Sequence, residues 1–141
     1  MFTKYIYKLV SNEQAVKRST LDVLQAFERD GVMYLELRTT PRSGPGKGSQ
    51  RHHASIILTS RQDMTKDTYV RTVLNAIAEF NRSSKIMKTS LILSMDRRNT
   101  FEQAMEAVDL AIKYKDLGIV GVDLCGDYKV SSDFAEDMAY T

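Results

Sequence analysis

The sequence predicts an α/β fold of about three βα units with parallel strands. Three observations carry that expectation. Three short, mostly apolar runs recur along the chain, at Val32–Leu37, Leu91–Met95 and Ile119–Leu124. An amphipathic stretch of helical period precedes each run. Polar residues gather directly after each run, at Arg38–Arg42, Asp96–Arg98 and Gly126–Asp127. An α-β-α-β-α-β order joins parallel strands by right-handed crossovers. Such strands are buried on both faces, which explains runs that look uniformly apolar. The C-terminal edge of such a sheet is where barrels and doubly wound folds alike bind ligands.

Each element has its own signal. Ser11–Asp30 reads as a helix, with Ser11 and Gln14 at capping-box spacing and Val16, Val23, Leu24 and Phe27 on one face. Gly31 supplies the stop, and the first strand follows. Residues 43–63 are rich in Gly, Ser and basic residues and lack a period, so they read as a flexible loop. Within them only Ala54–Leu58 has strand character. A second helix spans Thr65 to Phe80, burying Tyr69, Val70, Val73, Leu74 and Ile77. After the second strand, Thr100 and Gln103 form another capping box. Phe101, Met105, Val108 and Ile112 then mark an apolar stripe, and Gly118 closes the helix before the third strand.

Composition narrows the classes. At 141 residues the chain is one domain at most, and 43% hydrophobic content is too high for a disordered tail. No apolar run reaches the ~20 residues of a membrane helix. Lys4 and Lys8 interrupt what would be the apolar core of a signal peptide. A single cysteine, Cys125, forbids an internal disulfide and fits a reducing, cytoplasmic setting. A net charge of +2 gives no general attraction to nucleic acid or membrane.

Three segments together carry a resemblance: YLELRTTPR at 34–42, LILSMDRR at 91–98 and GIVGVDLCGD at 118–127. They resemble successive strands of the adenosine deaminase family, and the order and spacing match. The run Met64–Val70, MTKDTYV, resembles the N6-methyl-AMP deaminase branch in particular. The likeness covers roughly 2–42 and 64–127. It implies part of a (β/α)8 barrel, with residues 1–127 as the family portion, 43–63 as a disordered insertion and 128–141 as a tail outside the family pattern. It also implies a hydrolase in which one zinc activates a water against C6 of a purine, and a carboxylic acid protonates the ring. The resemblance assigns Thr39, Thr40, Pro41 and Arg42 to a nucleotide pocket, where hydroxyls and a guanidinium suit a phosphate. It assigns Asp96 to substrate contact, and Gly126 to close approach of backbone and purine. The implied ligand is a purine nucleoside or nucleotide monophosphate.

The zinc set of that family is an H-x-H pair, a later histidine and a late aspartate. This chain has two histidines, His52 and His53. Adjacent residues on an extended segment point to opposite sides and rarely share an ion. The sequence also starts at a helix that follows the first family strand. A truncated family chain is therefore expected, with no catalytic residue and no tightly held zinc of its own. Cys125 has no neighbouring histidine to activate it as a nucleophile. The alternative is a non-catalytic binding or interaction fragment. Lys47, Arg51, His52, His53 and Arg61 are the candidate phosphate contacts for it, but residues 43–63 offer no Phe, Tyr or Trp ring for base stacking. An open three-stranded sheet with two free edges is expected to be marginally stable or partner-dependent.

Overall fold

The computed structural model describes residues 12–44 and 64–126. Ser11, the run Ala54–Leu58, His52, His53 and the tail from Asp127 lie outside the described residues.

Helix α1 spans Glu13–Arg29. Its cap is Asn12, whose side chain accepts from the Ala15 N–H at 2.9 Å. Asparagine caps as well as the expected serine, one residue later. At the other end Gly31 takes φ +84°. The Gly31 N–H donates to Glu28 O and the Val32 N–H to Phe27 O, at 3.0 and 3.1 Å. That paired closure needs a left-handed residue at Gly31. It also uses the Val32 N–H, so strand β1 starts later than the apolar run, at Tyr34–Thr39.

Helix α2 spans Lys66–Ser83 behind a capping box. Thr68 N–H donates to Thr65 Oγ1, and Thr65 N–H donates to Thr68 Oγ1. Its buried face contains every residue expected there, plus Ala76 and Phe80. The segment after β1 and the start of α2 are tied together: the Gly44 N–H donates to Met64 O at 2.8 Å. Strand β2, Lys88–Asp96, extends three polar residues ahead of its apolar run. Asn81 explains the extension, because its side-chain amide bonds both the N–H and the C=O of Thr89.

Helix α3, Phe101–Lys113, carries the expected Thr100–Gln103 capping box but buries a different face. Ala104, Ala107, Leu110 and Ala111 face the sheet. Phe101, Met105 and Ile112, expected to pack, are 43%, 38% and 69% exposed. Three alanines let the helix axis come close to the strands, which pushes the larger side chains to the flanks. In α1, Val23 and Phe27 are likewise 40% and 39% exposed, and Val16, Thr20 and Leu24 make the buried line. A 3₁₀ turn at Lys115–Leu117 ends on Gly118 at φ +112° and feeds strand β3, Ile119–Cys125.

The sheet order is β1-β2-β3, all parallel. Leu35, Leu37, Leu91 and Leu93 form one core with residues of all three helices. Fully burying a leucine such as Leu91 or Leu93 contributes about 1.5–3 kcal/mol. All described helices therefore cover one face. This corrects the expectation of strands buried on both sides: Glu36 and Arg38 alternate with Leu35 and Leu37 and are exposed. Sequential order with a single helix layer is barrel winding, whereas a doubly wound sheet places helices on both faces.

Candidate functional site

The polar ends of the three strands assemble on one edge. On the face away from the helices, Arg38 Nη1 reaches Asp123 Oδ2 at 2.6 Å. Two residues further along each strand, Thr40 Oγ1 lies 3.8 Å from Cys125 Sγ. The Arg97 N–H donates to Cys125 O at 2.9 Å, which fastens the turn after β2 to the end of β3.

Asp96 ends β2, in register with Cys125. Its Oδ1 accepts from the Arg98 backbone N–H at 2.9 Å and from Arg98 Nε at 2.8 Å. The Arg98 guanidinium also binds Oδ2. Hydrogen bonding from that guanidinium, opposed by burial and helped by the Arg98 backbone N–H, holds the Asp96 carboxyl below the usual aspartate range. The group is an anchored anion. Gly126 follows at φ +104°, and a Cβ there would stand 3.1 Å from Asp96 Oδ1 and 3.4 Å from Arg97 N. Backbone conformation and crowding by Asp96 both call for glycine here.

The segment after β1 divides. Thr40 is exposed and faces Cys125, while Pro41 is buried. Thr39 turns to the helix side, where its hydroxyl shares a 2.7 Å hydrogen bond with Tyr69. The Arg42 guanidinium lies over the same ring, 5.5 Å from its centroid. These side chains border a cleft of about 160 Å³ with Val16, Thr20 and Leu37. The structure thus gathers Thr40, Asp96 and Gly126 at the strand ends, and sets Thr39 and Arg42 against Tyr69.

Sequence reasoning missed Tyr69 as a neighbour of the site and treated it only as core. It also missed the Arg38–Asp123 pair and Arg98 as the partner of Asp96. The i+2 step from Arg38 to Thr40 and from Asp123 to Cys125 was the available signal. Among the described residues no three His, Cys, Asp or Glu side chains stand close enough to hold a metal ion. The donor set that zinc requires is not assembled by them.

Comparison with known proteins places this edge in context. The adenosine deaminase family profile matches residues 1–140. The chain is 35% identical over 128 residues to an Arabidopsis thaliana N6-mAMP deaminase, covering 86% of this chain and 36% of that protein. It is 32% identical over 138 residues to the Homo sapiens N6-methyl-AMP deaminase, covering 94% and 35%. Arabidopsis ADAL complexed with IMP superposes with a TM-score of 0.75 at 32% identity, over 98% of this chain and 38% of that one. The GMP complex gives 0.73 at 31% identity, over 97% and 40%. The chain spans little more than a third of the length of the curated relatives it matches. Its parallel strands, single helix layer and polar strand ends correspond to part of that barrel, and the chain belongs to the adenosine deaminase family.

Proposed function

We propose that this chain forms the nucleotide-facing edge of a cytoplasmic, zinc-dependent aminohydrolase of purine salvage acting on N6-methyl-AMP. The intact reaction adds water at C6 and releases methylamine, leaving IMP. The observation that carries this reading is the convergence of Thr40, Asp96 and Gly126 in a chain whose solved relatives hold IMP and GMP. In this reading the Gly126 backbone meets the purine edge, where a side chain would intrude. Asp96, kept ionised by Arg98, accepts from a donor on the ligand. Thr40 serves the phosphate, with Thr39, Arg42 and Tyr69 setting the course of that segment. Zinc, when present in the family, supplies an activated water. With two adjacent histidines in the whole sequence, this chain contributes binding rather than turnover.

The test is a titration of the 141-residue chain with IMP, followed by amide NMR, beside an assay of N6-methyl-AMP turnover. Shifts centred on Thr40, Asp96 and Gly126 without turnover are expected. Turnover that a chelator abolishes would overturn the assignment of binding alone. Shifts confined to other residues would overturn the assignment of the edge.

A further inference from the structure

We propose that Arg38 and Asp123 form a strut that curls the sheet and positions the mouth, the strand-end edge that holds Thr40, Asp96 and Gly126, independently of which ligand that edge takes. Strands β1 and β3 are both neighbours of β2 and do not touch each other's backbones. Two strand spacings separate them, about 9–10 Å on a flat sheet. Yet two side-chain contacts span that gap on the same face: Arg38 to Asp123 at 2.6 Å and Thr40 to Cys125 at 3.8 Å.

The register explains why the contacts form a series. Arg38 pairs with Ile92, and Ile92 pairs with Gly121, so the residue straight across from Arg38 has no side chain. The guanidinium reaches instead one step further, to Asp123, which pairs with Ser94. Thr40 lies two residues beyond Arg38 and Cys125 two beyond Asp123, so the second contact repeats the first with the same diagonal offset. A diagonal series across the middle strand draws the outer strands together on this face and makes it concave. The register slip between Leu91 and Ile92 permits it. It lets Ile119 pack toward the helices while Asp123 and Cys125 take the other face.

The Arg38 side chain is 63% exposed and that of Asp123 23%. A pair so open contributes little to global stability. Its consequence is geometric: the contact nearer the strand ends, between Thr40 and Cys125, depends on the one below it. Arg38 and Asp123 are positioning residues for the mouth.

A cross-linking experiment on the full chain decides the matter. Cys125 is the sole native cysteine, so the T40C variant carries two thiols across β2. A short bis-methanethiosulfonate reagent reports how often they approach. Adding R38Q or D123N to T40C should slow intramolecular cross-linking about fivefold, the shift that loss of a modest ion pair gives. The melting temperature should move little, and the charge swap R38D/D123R should restore the rate. Labelling of Cys125 by a monofunctional reagent should stay unchanged, which separates approach from reactivity. High salt should slow cross-linking in T40C alone, because the exposed pair is screened. That arm decides the question if R38Q loses its cooperative melt. A cross-linking rate indifferent to both R38Q and salt would overturn the proposal, as would slowing matched by unfolding and not restored by the charge swap.

Discussion

The hydrogen bond between Thr39 and Tyr69 gives a quantitative test of how the site is tied to the core. The hydroxyls stand 2.7 Å apart, and Tyr69 is 7% exposed, so water has little access to replace either partner. Tyr69→Phe keeps the ring, its packing on α2 and its place under Arg42, and removes only the hydroxyl. Thr39→Val keeps shape and removes the other oxygen. Each single change leaves a half-buried hydroxyl unpaired and should cost about 1–2 kcal/mol. The double variant removes both groups, so it should cost less than the sum, with a coupling energy of about 1 kcal/mol. The assay is urea unfolding followed by circular dichroism, with the denaturant slope checked for constancy across the four proteins. Single effects that add to within about 0.3 kcal/mol would refute the reasoning, because no shared bond would then be lost.

Four other substitutions probe the geometry. Asp67 on α2 accepts from Lys113 Nζ at 2.6 Å and from the Tyr114 hydroxyl at 2.9 Å, and the Lys113 hydrogen bond, against some desolvation, lowers its pKa. Its stabilising share is therefore present above the unfolded aspartate value of about 3.9 and is lost as pH falls through the lower folded value; Asp67→Asn should cost about 1 kcal/mol at neutral pH and remove that acid limb from a pH series of melts. Gly126→Ala should cost about 1–3 kcal/mol in denaturant unfolding, since φ is +104° and the new methyl would stand 3.1 Å from Asp96 Oδ1. Ala107→Leu should cost about 1–3 kcal/mol by wedging α3 off the sheet, whereas Ile112→Ala on the exposed flank should change stability by less than about 0.5 kcal/mol.

How far the sequence could be read depended on whether a signal was local. The Thr100 cap, the start of α2 near Thr65, the Gly31 stop and the α2 core line were legible, because capping and helical period act over a few residues. The parallel direction of the strands was also legible, because helices alternate with strands; their sequential order came from the likeness to successive barrel strands. The buried face of α3 was not. Hydrophobicity ranks Ile112 above Ala107, but the distance between helix and sheet is a tertiary quantity that favours the small residue. Strand β1 looked apolar on average, and only the fold reveals that Glu36 and Arg38 line a separate surface. The candidate residues Thr40, Asp96 and Gly126 were picked out by likeness to a family pattern. Tyr69 was missed because it approaches Thr39 from another element, and Arg98 was missed although it lies two residues from Asp96, because residue spacing alone does not fix the turn that brings its guanidinium back onto the carboxylate.

The hydrogen bond from Gly44 to Met64 O has a practical meaning of its own. Residues 44 and 64 stand at neighbouring points of the βα framework, so β1 and α2 keep their junction whatever length of peptide joins those points. That junction is a port. A spectroscopic label or an affinity peptide spliced between residues 44 and 64 would hang from two adjacent anchors and leave the register of the three strands alone.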